Sequence, residues 1–128
     1  MAILVLGQNV EARIKAERRT TGADRLDEVW EGLYVVSPEP NDEHQELVSQ
    51  LIYILQGLIK HAGLGEVRPG VNVSDRDVGW EQNYRVPDIA VFLKGGIACN
   101  RDTHWVGGPD FALEILSPGD RAHEKIPF

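Results

Sequence analysis

Two acidic residues lie in apolar segments that are typical of buried strands. Asp88 is near the start of an apolar run over residues 87–93, and Glu114 interrupts a second run over residues 111–116. A carboxylate in such a position is normally paired, hydrogen-bonded, neutralised or bound to a cation. Because Mg²⁺ binds one or two carboxylates and keeps several waters, two acids on neighbouring strands can share one ion. The pair therefore indicates metal-assisted hydrolysis, with the carboxylates predicted within roughly 4–6 Å of each other.

A long amphipathic helix is predicted over about residues 42–62, and its first turn would point towards the same place. Asp42 or Asn41 can cap it, and Gly63 can end it. Its apolar positions follow the helical period: Leu47, Val48, Leu51, Ile54, Leu55, Leu58, Ile59 and Ala62. At 100° per residue, His44 projects near the centre of this stripe and Glu43 lies at its flank. We therefore expect His44 to face the sheet while Tyr53 faces solvent.

The remaining pattern predicts strands and connecting loops that complete an α/β (α+β) domain. Residues 2–6 read as a strand or loose arm, and part of residues 9–19 can be helical. Further elements are a hairpin over 29–36, a strand over 66–73 bent at Pro69-Gly70, strands over 86–93 and 110–116, and loops over 75–83 and 94–109. This order predicts a mixed central sheet flanked by helices. We divide the chain into an N-terminal arm, 1–27, and a domain, 28–128.

Charge and composition limit the classes of function that the chain can have. The 128 residues have a formal net charge of −7, which disfavours DNA binding driven by overall charge and requires a local basic patch or a metal. With one cysteine, Cys99, no disulfide can form within the chain, and this fits a cytoplasmic location. The apolar start at residues 1–6 is too short for a signal peptide or a membrane span, so no membrane partner is expected.

Four motifs occur in an order that resembles a known nuclease family. They are Val-Val-Ser-Pro-Glu-Pro at 35–40, Glu-His-Gln at 43–45, Arg-Val-Pro-Asp-Ile-Ala at 85–90, and Gly-Pro-Asp-Phe-Ala-Leu-Glu-Ile-Leu-Ser-Pro-Gly-Asp-Arg at 108–121. Over roughly residues 28–128 the sequence resembles the Uma-type family of restriction endonucleases, within the PD-(D/E)XK nuclease superfamily. The resemblance implies a restriction-endonuclease-like fold and Mg²⁺- or Mn²⁺-dependent cleavage of DNA.

The resemblance also implies roles for individual residues. Asp88 matches the motif aspartate, Glu114 the second metal ligand, and the main-chain carbonyl of Ile115 a further ligand. His44 matches a residue that supports the site from the first helix.

The catalytic lysine is the one clear departure from the superfamily pattern. The superfamily places a lysine two residues after the glutamate, where this chain has Leu116. Lys125 in the following helix is its best match, and Arg121 is the alternative. A cation there would orient the water or stabilise charge on the phosphate.

The family domain continues beyond the motifs matched here. The resemblance implies the rest of a second helix and at least one more strand after Phe128. We therefore expect an incomplete domain, exposed apolar surface beside the strand at 110–116, and a homodimer or larger assembly that covers it. Two alternative functions stay open: a catalytically inactive nuclease-like remnant that acts as a binding module, and a metal-dependent hydrolase with another substrate.

Each acidic or histidine candidate also has a purely structural interpretation. Glu114 could pair with Arg85 or Arg68, because structural ion pairs also contain buried acids. Asp88 could simply cap a strand after a proline. His44 could be a core histidine with its hydrogen bonds satisfied.

Lys125 and the glycine-rich loop have structural interpretations as well. Lys125 could be a solvated helix residue. Cys99 and His104 have loose zinc-like spacing, but two such residues do not make a tetrahedral site. Trp80 and Trp105 could stack on bases, or they could pack beneath the loops.

Overall fold

Two α-helices and ten short strands make up the part of the chain that the structure describes, residues 3–116 of this computed structural model. The helices are α1, Gln8–Thr21, and α2, Asp42–Leu55. The strands are β1 (Ile3–Leu4), β2 (Glu28–Trp30), β3 (Leu33–Val36), β4 (Gly65–Pro69), β5 (Val73–Ser74), β6 (Tyr84–Arg85), β7 (Ile89–Leu93), β8 (Cys99–Asn100), β9 (Trp105–Val106) and β10 (Phe111–Leu113). The predicted mixture of helices and mixed sheet is confirmed.

The strands are divided between two sheets. The larger has the order β1-β3-β2-β6-β5-β9-β8, and its β5–β9 pair is parallel. The smaller sheet, β10-β7-β4, is antiparallel and contains both acidic segments that the sequence marked. In it, Leu113 lies opposite Ile89 and Ala112 opposite Ala90. This register fixes which residues meet at the end of the sheet.

Helix α2 begins where the sequence predicts and covers the smaller sheet. The side chain of Asn41 accepts a hydrogen bond from the amide of His44 at 2.9 Å, so Asn41 is the N-cap. The helix continues through a π-helical turn, Gln56–Lys60, before Gly63 reverses the chain at a φ of 73°. Part of the predicted apolar stripe, with Ile52, packs on the buried strand residues Val67, Ile89 and Val91; the packed helix residues are Val48, Leu51, Ile52, Leu55 and Ile59. Three other stripe residues are exposed: Leu47, Ile54 and Leu58.

Two local predictions were wrong. Residues 66–73 are not one bent strand, because Gly70 takes a φ of +48° and the chain passes from β4 in one sheet to β5 in the other. The predicted loop 94–109 contains β8 and β9, which extend the larger sheet. Strands of two residues are too short to leave an alternating pattern in the sequence.

The N-terminal 27 residues include α1, which is longer than the predicted helix, and β1, which pairs with β3. Within residues 3–116, neither helix has the length and apolar character needed to cross a bilayer.

Candidate active site

His44 reaches the start of β7 from the first turn of α2. Its Nε2 lies 3.2 Å from Oδ1 of Asp88, and its side chain is 21% exposed. Tyr53, farther along the helix, is 81% exposed. The helical phase inferred from the apolar stripe is therefore correct, and the expected proximity of His44 to Asp88 is found.

Asp88 is held from a second direction by the strand that carries Glu114. Its Oδ2 accepts a hydrogen bond from the backbone amide of Ile115 at 2.7 Å. Its backbone carbonyl accepts from the amide of Gly70 at 3.3 Å. The side chain, 20% exposed, is thus oriented by α2 on one side and by the end of β10 on the other.

Glu114 follows β10 by one residue and is half-buried. Because Leu113 pairs with Ile89, the next step of the antiparallel register sets Glu114 opposite Asp88. Directly opposed side chains in such a pair lie on one face, with Cβ atoms about 4.5–5.5 Å apart. The predicted convergence of the two carboxylates stays a prediction, and this register favours it.

One ring nitrogen at the site has no partner in the described part of the chain. The Nδ1 atom of His44 is buried and makes no hydrogen bond within residues 3–116. A buried polar atom without a partner costs free energy, so such atoms are rare outside functional or strained sites. The polar atoms around Asp88 therefore have fewer hydrogen-bond partners than those of an ordinary structural ion pair.

The donor set fits a hard divalent cation. One oxygen of Asp88 accepts a hydrogen bond from Ile115 and the other lies 3.2 Å from His44, so the carboxylate keeps lone pairs for a cation. Two carboxylates and a carbonyl oxygen suit Mg²⁺ or Mn²⁺ better than zinc. Between residues 3 and 116 no three His, Cys, Asp or Glu side chains form a metal-binding group.

The two predicted cations, Lys125 and Arg121, lie outside the described residues. The position at which the superfamily has its lysine is Leu116, which is 70% exposed. The described residues therefore supply the acids and the histidine of the predicted site, but not its lysine.

The aromatic side chains of the glycine-rich region pack within the protein. Trp105 stacks on Phe92 with ring centroids 3.7 Å apart, and Trp80 stacks on His104 at 4.6 Å. His104 is itself buried and bonds Asp77 at 3.1 Å, whereas Cys99 is exposed. These contacts favour the packing interpretation of both tryptophans.

A second group of buried acids was missed by the sequence analysis. Asp27 and Glu28 are each 1% exposed and lie at the start of β2. Asp27 accepts two hydrogen bonds from Arg18, at 2.6 and 2.9 Å, and another from the hydroxyl of Tyr34. The hydrogen bond to Asp27 raises the pKa of Arg18. Burial is the main cause that raises the pKa of Tyr34, and the hydrogen bond to Asp27 raises it further. An acidic pair directly before an apolar strand was the available signal.

Glu28 organises the segment that leads to Asp88. Its carboxylate accepts from the amide of Val86 at 2.8 Å and from the indole of Trp30 at 2.5 Å. Arg85 lies over the ring of Trp30 and donates to the carbonyl of Val29 at 3.0 Å. Burial lowers the pKa of this arginine. These contacts anchor the backbone just before Pro87 and Asp88.

Comparison with known proteins identifies a matching family and a related solved structure. The Uma2 family model, described as "Putative restriction endonuclease", matches residues 18–127. A crystal structure from Anabaena variabilis ATCC 29413, of a protein described as a "putative nuclease belonging to DUF820", matches with a TM-score of 0.59 and 22% identity. The match covers 79% of this chain and 56% of that protein, so the chain spans little more than half of its length. No curated protein matches the chain.

Proposed function

The chain belongs to the Uma2 family, and on that premise we propose that it is a Mg²⁺- or Mn²⁺-dependent endonuclease that hydrolyses DNA phosphodiester bonds. The observation that supports this most is the setting of Asp88. One of its oxygens faces His44, the other is fixed by the amide of Ile115, and Glu114 follows in the opposing register position. A shared face for two acids at a sheet end is what a two-carboxylate metal site requires.

We assign metal binding to Asp88, Glu114 and the carbonyl oxygen of Ile115. Ile115 lies two residues beyond β10, and its N–H donates to Oδ2 of Asp88, so its backbone is next to the carboxylate. When bound, a divalent ion polarises a phosphate oxygen and lowers the pKa of a water.

The chain's own residues have positioning and charge-stabilising roles in this proposal. His44 and the amide of Ile115 hold the carboxylate of Asp88 in one orientation. Lys125, with Arg121 as the alternative, would donate to the water or to a phosphate oxygen. In hydrolysis the oxygen of water ends on phosphorus, and its proton ends on the oxygen that leaves.

The test compares metal binding and DNA cleavage in matched variants. Glu114→Gln and Asp88→Asn keep the side-chain shape but remove the charge that holds the ion, so both should abolish Mn²⁺-dependent nicking of a plasmid. Asp102→Asn is the control, because Asp102 is exposed in a distant turn with a φ of 72°, a conformation that asparagine tolerates. Mn²⁺ binding, measured by calorimetry, gives a readout that does not depend on catalysis. Equal cleavage by wild type and Glu114→Gln would reject the mechanism.

A catalytically inactive relative is the second candidate. It is favoured by Leu116, which stands where the superfamily has its lysine. In that case the chain would bind Mn²⁺ through Asp88 and Glu114 and bind DNA, but leave plasmid intact. The two candidates therefore differ in cleavage and agree in binding.

We also propose that the protein assembles as a homodimer or larger oligomer. Phe111 on β10 is 51% exposed, and Leu116 and the helix residues Leu47, Ile54 and Leu58 also expose apolar side chains. Exposed apolar surface of this kind favours association. Sedimentation velocity should show a dimer or larger species, and a monomer at high concentration would contradict this assignment.

A further inference from the structure

A cleft of about 230 Å³ lies near the acidic site, next to the first turn of α2. One wall is the short turn Ala23–Leu26, and the other is the segment 37–40. Gln45, which follows His44 on α2, closes one end. We call this the Arg25 cleft, after the single basic residue among those that line it.

Arg25 differs from most basic residues in the described part of the chain. Five others form ion pairs with an acid on the surface: Lys15, Lys60, Arg68, Arg76 and Arg101. Arg18 and Arg85 make several hydrogen bonds inside the fold. Within residues 3–116, the exposed side chain of Arg25 forms neither an ion pair nor a hydrogen bond. Its charge is therefore available to a ligand.

In the folded chain, a single residue, Gly70, lies between Arg25 and Asp88. Its Nη1 lies 3.9 Å from the position that a Cβ on Gly70 would occupy. The amide of Gly70 in turn donates to the carbonyl of Asp88 at 3.3 Å. Arg25 and the backbone of Asp88 thus both neighbour Gly70. A DNA strand whose phosphate reaches Asp88 would therefore carry its flanking phosphates past this part of the surface.

We propose that the Arg25 cleft binds a backbone phosphate of the DNA strand, next to the phosphate that lies at Asp88. The guanidinium of Arg25 supplies paired donors for the phosphate oxygens, and the side-chain amide of Gln45 supplies another. A chain of net charge −7 needs such a local cation, because its overall field repels DNA. This inference rests on the proposed function, since it takes DNA as the substrate.

Glu39 allows a more specific test of this proposal. It lines the same cleft, is exposed, and would repel a phosphate held by Arg25. Arg25 and Glu39 should therefore have opposite effects on DNA affinity, which an unspecific surface contact would not give.

The experiment is fluorescence anisotropy with a labelled double-stranded oligonucleotide in EDTA, so that no cleavage occurs. Arg25→Ala should weaken binding about tenfold and reduce the slope of log K against log salt concentration by about 1. Glu39→Gln should strengthen binding. Lys94→Ala is the matched control, because Lys94 is exposed, has no side-chain partner among residues 3–116, and follows the end of β7 opposite to Asp88. It should bind within about twofold of wild type, since surface changes away from a contact have small effects.

The result separates this proposal from the proposed function. If Arg25→Ala binds DNA as tightly as Lys94→Ala, at an unchanged melting temperature, the cleft does not hold the phosphate. If wild type never cleaves DNA but its affinity depends on Arg25 and Glu39 as stated, the cleft proposal stands and the nuclease proposal fails. Cleavage by wild type with no effect of Arg25→Ala on affinity would leave the nuclease proposal intact and overturn the cleft.

Discussion

Asp27 and Asp88 are two carboxylates beside short strands, and they differ in burial and in their hydrogen-bond donors. Asp27 is 1% exposed and accepts hydrogen bonds from Arg18, from the hydroxyl of Tyr34 and from the amide of Ser37. Asp88 is 20% exposed and meets one histidine nitrogen and one backbone amide. The first is enclosed by donors that include a full positive charge, whereas the second has fewer donors and is partly exposed.

The comparison shows that burial alone does not identify a metal ligand. A carboxylate whose oxygens are already bonded by a guanidinium, a phenol and an amide has little capacity for a cation. A half-buried carboxylate with one donor on each oxygen keeps that capacity. The number and charge of the donors therefore separate the structural acid from the candidate catalytic one, and the following predictions test this distinction.

The largest effect is expected from Asp27→Asn. The change leaves the charge of Arg18 without its partner in a mostly buried position, and breaking such a pair costs about 3 kcal/mol of stability. Urea unfolding should show this loss. Asp24→Asn is the control, because the described structure gives the Asp24 side chain no bonded partner although its backbone carbonyl bonds Asp27. Equal losses in the two variants would remove the contrast between the two regions.

Asp88→Asn should behave in the opposite way. Without metal, its stability should change by less than about 1 kcal/mol, because the partly exposed side chain makes one hydrogen bond, to Ile115, and one contact, with His44. With Mn²⁺ at one hundred times the dissociation constant, wild type should gain about 2.7 kcal/mol, and the variant should gain none. Thermal unfolding with and without Mn²⁺ measures both quantities. A variant that is still stabilised by Mn²⁺ would place the ion elsewhere.

Asn41→Ala tests whether the cap of α2 serves the site. Loss of the hydrogen bond from the His44 amide should cost about 1 kcal/mol. It should also loosen the first turn, which aims His44 at Asp88, so metal affinity should fall although no proposed ligand is changed. Asn41→Ser retains a capping oxygen and should restore both properties. Unchanged metal affinity in Asn41→Ala would show that His44 does not depend on the cap.

Tyr84→Phe should change stability only at alkaline pH. Burial raises the pKa of Tyr84 to about 12, with a further contribution from the charge of Asp27. The unfolded chain releases this proton near pH 10 and the folded chain near pH 12. The stability contribution is therefore complete below about pH 10 and is lost as the pH rises towards 12. Phenylalanine has no such proton, so the alkaline unfolding midpoint should move to higher pH in a circular dichroism titration.

The sequence indicated the surroundings of Asp88 better than those of Asp27, for a physical reason. Asp88 and Glu114 stand next to long apolar runs, and His44 follows a helical period, so both patterns are local. Asp27 precedes a strand of three residues, and its partner Arg18 lies on a separate helix, α1, which a short turn connects to that strand. No local pattern encodes a contact of that kind.

The sheet topology was predicted only in part for the same reason. The positions of the acids, the long helix and the mixture of helices and strands could be predicted from periodicity. The step of the chain from β4 in one sheet to β5 in the other could not, because it depends on one positive φ, at Gly70. The two-residue strands β8 and β9 are defined by their pairing partners rather than by their own residues. The Arg25 cleft was not predicted, because the sequence does not show that Arg25 lies beside Gly70.

The hydrogen bond from Ile115 to Asp88 has a consequence for the order of events during synthesis. Protein chains emerge with their N-terminal parts first, so α2 and β7 are available before β10. Until β10 pairs with β7, Asp88 lacks both the amide of Ile115 and the opposing carboxylate of Glu114. A partly synthesised chain can therefore fold its helix before the strand that leads to Glu114 pairs beside Asp88.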